Sequence, residues 1–216
     1  MRTLVTITLL GTVLCGADLA SGQADQQSER LLFDGKTLEG WEGNEKFFRV
    51  EAGAVVAGML DAKIPQNEFL CTKQEFSDFE LTLEVRLKGQ GNNAGIQFRS
   101  KRVPNSHEVE GYQCDVGAAF DRPVWGALYD ESRRRKMLAE GPKESVKEWH
   151  KKGEWNELKI VALGNSIKLF LNGHQTVEYT EKDKGIATSG VIGLQIHSGA
   201  PAEAWYRNIR LKELTQ

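Results

Sequence analysis

The segment Phe79, Leu81, Leu83, Val85 and Leu87 alternates without a break with Glu80, Thr82, Glu84 and Arg86. A strict period of two over that length fits only an extended strand with one buried and one wet face. The same grammar recurs downstream. Leu158, Ile160 and Ala162, opened by Trp155, form one predicted strand. Gly164-Asn165 turns the chain, and Ile167, Leu169 and Leu171 carry it back. Asn172-Gly173 is a strong hairpin signal, because both residues tolerate positive φ. Val177 and Tyr179 continue the meander. Ile192, Leu194 and Ile196 alternate with Val191, Gly193, Gln195 and His197, and Trp205, Arg207, Ile209 and Leu211 mark a closing strand.

Helical periodicity is confined to a turn or two within residues 143–151. Many short strands without intervening helices predict an all-β sandwich or barrel. No internal repeat is visible. The longest stretch lacking strand patterning, residues 130–145, carries Arg133, Arg134, Arg135 and Lys136 and reads as a long loop.

The first residues constrain compartment. Arg2 precedes an apolar run from Leu4 to Leu14, and Gly22 and Ala24 occupy the −3 and −1 positions of a cut after Ala24. That order predicts a cleaved signal peptide over residues 1–24. A membrane anchor is the alternative, but the apolar run falls short of the ~20 residues that cross a bilayer. Lipid attachment at Cys15 would follow Leu14, where a small residue is wanted. Residues 25–30 are polar and predicted to be disordered, leaving 31–214 as one domain. The chain has 28 Lys and Arg against 30 Asp and Glu, and a near-neutral surface exerts no pull on nucleic acid or on anionic lipid. No membrane association is expected once the signal is removed. Cys71 and Cys114 are the cysteines beyond the signal; one disulfide is open to them, and neither has zinc-site spacing.

Several segments taken in order resemble a known family. Leu32-Phe33-Asp34-Gly35-Lys36-Thr37-Leu38 with Gly40-Trp41, Asn93 through Arg99, Gly111 through Asp115, Trp125 through Asp130, Gly193 through Ser198 and Arg207 through Leu211 are similar to the bacterial 3-keto-disaccharide hydrolase-like family, formerly a domain of unknown function. The resemblance implies a concanavalin A-like jelly roll of two antiparallel sheets, and a carbohydrate substrate whose C3 hydroxyl has been oxidised to a ketone. The two-carboxylate ExDxxE strand of laminarinase-type enzymes is absent from the sequence.

A C3 ketone acidifies the C2 hydrogen, so hydrolysis can run through proton abstraction, loss of the C1 substituent and addition of water. That route needs a base, an acid and a donor for the enolate oxygen. Arg99, ending an apolar strand, is a candidate for the oxygen, with a structural ion pair to Glu110 or Asp115 as the alternative. Asp115 and Gln113 share a face two residues apart, while Glu110 falls opposite unless Gly111 bulges. His197, on a face with Gln195, suits proton transfer near neutral pH. Asp115, His197 and Arg99 are therefore the expected catalytic groups. Asn93, Gln113, Tyr129, Trp125, Glu110, Glu131 and Gln195 are the expected substrate contacts, with Trp125 and Tyr129 as stacking platforms; Tyr112 and Trp41 are weaker aromatic candidates, and Arg134 with Glu131 can close over a ligand. No cofactor is expected. A divalent cation bridging keto oxygen and base is chemically possible, but no ligand cluster names it. A non-catalytic carbohydrate-binding module and a retaining glucanase are the rival readings.

Overall fold

A computed structural model of the chain describes residues 29–215; the expected signal segment and residues 25–28 lie outside the described residues. In chain order the strands are β1 (Arg30–Leu31), β2 (Trp41–Glu42), β3 (Phe48–Glu51), β4 (Ala54–Met59), β5 (Glu68–Phe76), β6 (Phe79–Gly89), β7 (Asn93–Arg102) and β8 (Val109–Ala119). They continue through β9 (Arg122–Pro123), β10 (Leu128–Glu131), β11 (Lys136–Ala139), β12 (Asn156–Leu163), β13 (Ser166–Leu171), β14 (His174–Thr180), β15 (Gly190–Ile196) and β16 (Ala202–Glu213), with α1 (Lys143–Trp149) between β11 and β12.

The strands form two antiparallel sheets. The first runs β14-β13-β12-β6-β16-β4-β3 with β1 against β16, and the second runs β11-β10-β8-β7-β15-β5-β2 with β9 against β8. This is the all-β sandwich that the alternation predicts, in the jelly-roll form that the family resemblance implies. Its core is the inward half of that alternation: Phe79, Leu81, Leu83 and Val85 of β6 meet Ile96 and Phe98 of β7, Cys114 of β8 and Ile192, Leu194 and Ile196 of β15, all without solvent exposure. Burying a side chain of this size contributes about 1.5–3 kcal/mol, so the alternation also fixes register, since a slip of one residue would turn the whole set outward.

Two boundaries differ from expectation. Arg30, assigned to the disordered segment, is paired with Leu211 in β1. Residues 130–145 are not a loop: they hold the end of β10, all of β11 and the start of α1. The strand character is hidden because its polar residues are buried together rather than alternating with apolar ones. Asp130, fully buried, accepts from Arg133 at 2.9 Å and from Arg134. Arg134 also donates to Glu181 at 2.7 Å, and Glu181 accepts from the Tyr112 hydroxyl at 2.7 Å. Arg134 is thus clamped within the fold rather than available to a ligand. Tyr112 and Trp41 are likewise core residues, Trp41 donating its indole N–H to the Leu32 carbonyl at 2.8 Å.

Cys71 and Cys114 are both free and buried. They lie on opposite faces of the second sheet, Cys114 in the core and Cys71 clustered outside it with Phe69 and Val109. Burial pushes the Cys71 thiol up to about 11, which keeps it protonated and unreactive at neutral pH.

Candidate functional site

Because Ala94, Ile96 and Phe98 point into the core, Asn93, Gly95 and Gln97 of β7 face away from it. By the same parity β8 turns Gln113 and Asp115 outward, β10 turns Tyr129 and Glu131, and the β15 line turns Gly193, Gln195 and His197. In the sheet, Tyr129 pairs with Gln113, Gln113 with Gln97, Asp115 with Gly95, and Gly95 with Gln195.

This outer face is concave. β10 and β15 are separated by β8 and β7, a span of about 14 Å in a flat sheet, yet Gln195 Nε2 reaches Glu131 Oε2 at 3.4 Å. Curvature explains the burial of the polar groups as well: Gln97 and Gln195 are 0% exposed, Gln113 3% and Asp115 4%. Missing side chains make room for long ones. A Cβ on Gly95 would lie 2.4 Å from Cδ of Gln113, and one on Gly193 would lie 3.1 Å from both Cys71 Sγ and Gln97 Cβ.

A hydrogen-bonded relay crosses the hollow. Ser100 Oγ donates to Gln97 Oε1 at 3.0 Å, Gln97 Nε2 to Gln113 Oε1 at 2.5 Å, and Gln113 Nε2 to Asp115 Oδ1 at 2.6 Å. Burial, reinforced by the charges of Glu131 and Glu140, outweighs the Gln113 bond and the charge of Arg122 and raises the Asp115 carboxyl to about 7. Glu131 is also raised, by burial and then by Glu108, against the opposing pull of His197 and Ser132. The Tyr129 phenol is raised by burial and by Glu131 and Asp115, which it faces. His197 Nδ1 lies 2.8 Å from the Ser198 carbonyl oxygen. A carbonyl only accepts, so Nδ1 is the donor, and in the neutral ring the lone pair is then on Nε2. Asn93 lies at the same end of the hollow: its carbonyl accepts from the His197 N–H at 3.2 Å, and its amide donates to the Ala118 carbonyl at 3.0 Å.

Burial holds the Asp115 carboxyl up at about 7, against 3.8 in an open chain. Between these two values the folded protein holds a proton that the unfolded chain has released, so this group's stabilisation is complete below about pH 4 and is lost as pH rises through 7. Asp115→Asn removes the dependence. Relative to wild type the variant should gain about 2–3 kcal/mol on going from pH 5 to pH 8, read from urea melts at the two pH values.

Three expected site residues lie elsewhere. Arg99 is the main correction. A register shift between Phe98 and Lys101 puts Arg99 at φ 47° and turns its side chain toward the other sheet, as bulges characteristically do. There it donates to the Ser77 carbonyl at 2.8 Å, the Gly164 carbonyl at 2.7 Å and Asp78 Oδ1 at 2.7 Å. Glu110 forms an ion pair with Lys101 at 3.0 Å. Trp125 belongs to the core at one end of the sandwich, its ring stacked on His150 with centroids 4.4 Å apart. In their place are residues the sequence reading did not single out. Gln97 and Ser100 carry the relay, and Ser132 Oγ lies 2.7 Å from Glu108 Oε2 and 3.4 Å from Glu131 Oε1. The signal for Gln97 was present: a glutamine between Ile96 and Phe98 must face away from the core. Among the described residues no group of three or more His, Cys, Asp or Glu side chains is placed to hold a metal ion.

Residues 28–212 match the sequence pattern of the family described as the 3-keto-alpha-glucoside-1,2-lyase-like domain. The chain belongs to this family. A Bacteroides thetaiotaomicron relative, named a 3-keto-disaccharide hydrolase, is 24% identical over 229 aligned residues spanning 85% of this chain and 77% of its own. Among solved structures, a Parabacteroides distasonis protein described as a candidate glycosyl hydrolase superposes with a TM-score of 0.62 at 15% identity, over 87% of this chain and 94% of that one. A carbohydrate-binding module from Bacillus subtilis superposes with a TM-score of 0.56 at 16% identity, over 81% and 96%. At such identities the two structures speak to fold alone, which this lyase-like family shares with sugar-binding modules.

Proposed function

We propose that the chain cleaves 3-keto-α-glucosides, including disaccharides, on the concave face of the second sheet. The observation that carries the reading is the placement of Asp115, buried at the end of an amide relay with Glu131 and His197 on the same face, where burial holds its carboxyl up at about 7. His197 Nε2 removes the proton from C2, and the electron pair moves into the enolate, placing negative charge on the C3 oxygen. The enolate then collapses toward C1, the C1–O bond breaks, and protonated Asp115 delivers its proton to the departing aglycone oxygen. Water adds to C1 of the resulting enone and a proton returns to C2, giving the 3-keto sugar and the free aglycone.

With Arg99 committed to Asp78, the donors for the enolate oxygen are neutral. Gln97 and Gln113 each use one amide hydrogen in the relay, and each amide nitrogen carries a second. Fixed dipoles in a buried hollow stabilise developing charge without reorganising. The charged, apolar and small-residue order of the N-terminus supports export of the protein, so the substrate is one met outside the cytoplasm.

The test is incubation of purified protein with a 3-keto-α-glucoside and with its unoxidised parent. Aglycone release is expected from the keto substrate alone. Equal release from both points instead to ordinary glycoside hydrolysis, and release from neither leaves a carbohydrate-binding module.

A further inference from the structure

A cavity of about 760 Å³ lies at the end of the sandwich beside the β8–β9 hairpin, within the ~300–1,000 Å³ typical of small-molecule sites. The hairpin tip is unusual. Ala119 pairs with Arg122, and the two residues between them, Phe120 and Asp121, have φ of 50° and 58°. Two-residue turns of this hand normally use Asn-Gly, and aromatic side chains rarely adopt such φ. Phe120 is also 67% exposed, with the Arg122 guanidinium over its ring at 5.3 Å from the centroid. Neither the backbone conformation nor the exposure is repaid inside the fold, which is where a functional demand on sequence is expected.

The remaining wall suits a hydroxyl-rich ligand. The stacked Trp125 and His150 rings line the cavity, as do Lys88, Lys152, Asp121 and Glu154. Arg122 is paired with Glu140 at 2.7 Å, so charges of both signs balance and an ionic ligand meets no net field. Aromatic faces with interspersed donors and acceptors match a pyranose, which offers C–H groups to a ring and hydroxyls to its rim.

The cavity also borders the hollow. Arg122 lines it and exerts its charge on Asp115, and the Asn93 amide is bonded to the carbonyl of Ala118 in the cavity wall. We infer that this cavity is the subsite for the second sugar of a disaccharide substrate, with Phe120 as its stacking platform. The inference rests on the proposed function for the identity of the first sugar.

Phe120→Asn tests it, because asparagine accepts the left-handed turn while removing the ring. Cleavage of a 3-keto-α-glucosyl-glucose is compared with that of methyl 3-keto-α-glucoside, and the Trp125 indole and His150 ring resonances are followed by NMR. The variant should melt no lower than wild type. Its KM penalty on the disaccharide should exceed that on the methyl glycoside about tenfold, the equivalent of 1.4 kcal/mol. The disaccharide should shift the Trp125 and His150 resonances in wild type and not in the variant. Equal penalties on the two substrates, or unshifted resonances in wild type, overturn the subsite. If wild type cleaves neither compound the proposed reaction fails, and the resonance shifts alone then decide whether a sugar occupies the cavity.

Discussion

His197→Ala and Asp115→Asn should each lower kcat on 3-keto-α-glucosides by about 10²- to 10⁴-fold, the range general acid–base groups contribute. The two losses should differ in kind. If Asp115 protonates the leaving oxygen, an aglycone that departs as a stable anion needs no proton, and a nitrophenyl 3-keto-glucoside should recover much of the rate in Asp115→Asn. The same substrate should not rescue His197→Ala, since removal of the C2 proton precedes departure of either aglycone. The pH profile offers a second check. Wild-type activity should fall as pH rises through about 7, where Asp115 loses the proton it donates, and this limb should be missing in Asp115→Asn. An Asp115→Asn enzyme with wild-type rate on the disaccharide would remove the carboxyl from the chemistry and return Glu131, the other raised carboxyl of the hollow, as the candidate acid.

The alternating residues of β6, β12, β13 and β15 made the sandwich legible, because in a half-buried strand one bit per residue, in or out, is the structure. The same rule correctly grouped Gln113 with Asp115 and Gln195 with His197, and it placed Glu110 off their face. It failed at Arg99 for a definite reason. Alternation assumes a continuous register, and the break after Phe98 leaves no mark in the pattern of residue types. It failed again over residues 130–145, where Asp130, Arg133 and Arg134 are buried by pairing with one another rather than by being apolar. The concavity was invisible for a third reason: it is a property of sheet curvature, revealed only when Glu131 and Gln195 meet across two intervening strands. The sequence therefore exposes which face a residue occupies and conceals how faces bend and where register slips.

Arg99→Met should unfold the protein readily while leaving the turnover of the folded fraction close to wild type. Three donors are lost together: those to the Ser77 and Gly164 carbonyls and that to Asp78. The carboxylate of Asp78 keeps the Gly164 N–H at 2.9 Å and loses the guanidinium donor at 2.7 Å. Removing one member of a buried ion pair costs about 3–5 kcal/mol. The Asp78 side chain is 14% exposed against 2% for Arg99, and this partial access to water puts the expectation at the lower end, about 3 kcal/mol. For a domain of this size that corresponds to a fall in Tm of roughly 6–12 °C. A rate measured per folded molecule separates this role from the catalytic one the sequence suggested. If Arg99→Met kept a normal Tm and lost kcat, the guanidinium would belong to the chemistry after all, and the neutral amides of Gln97 and Gln113 would no longer suffice for the enolate oxygen.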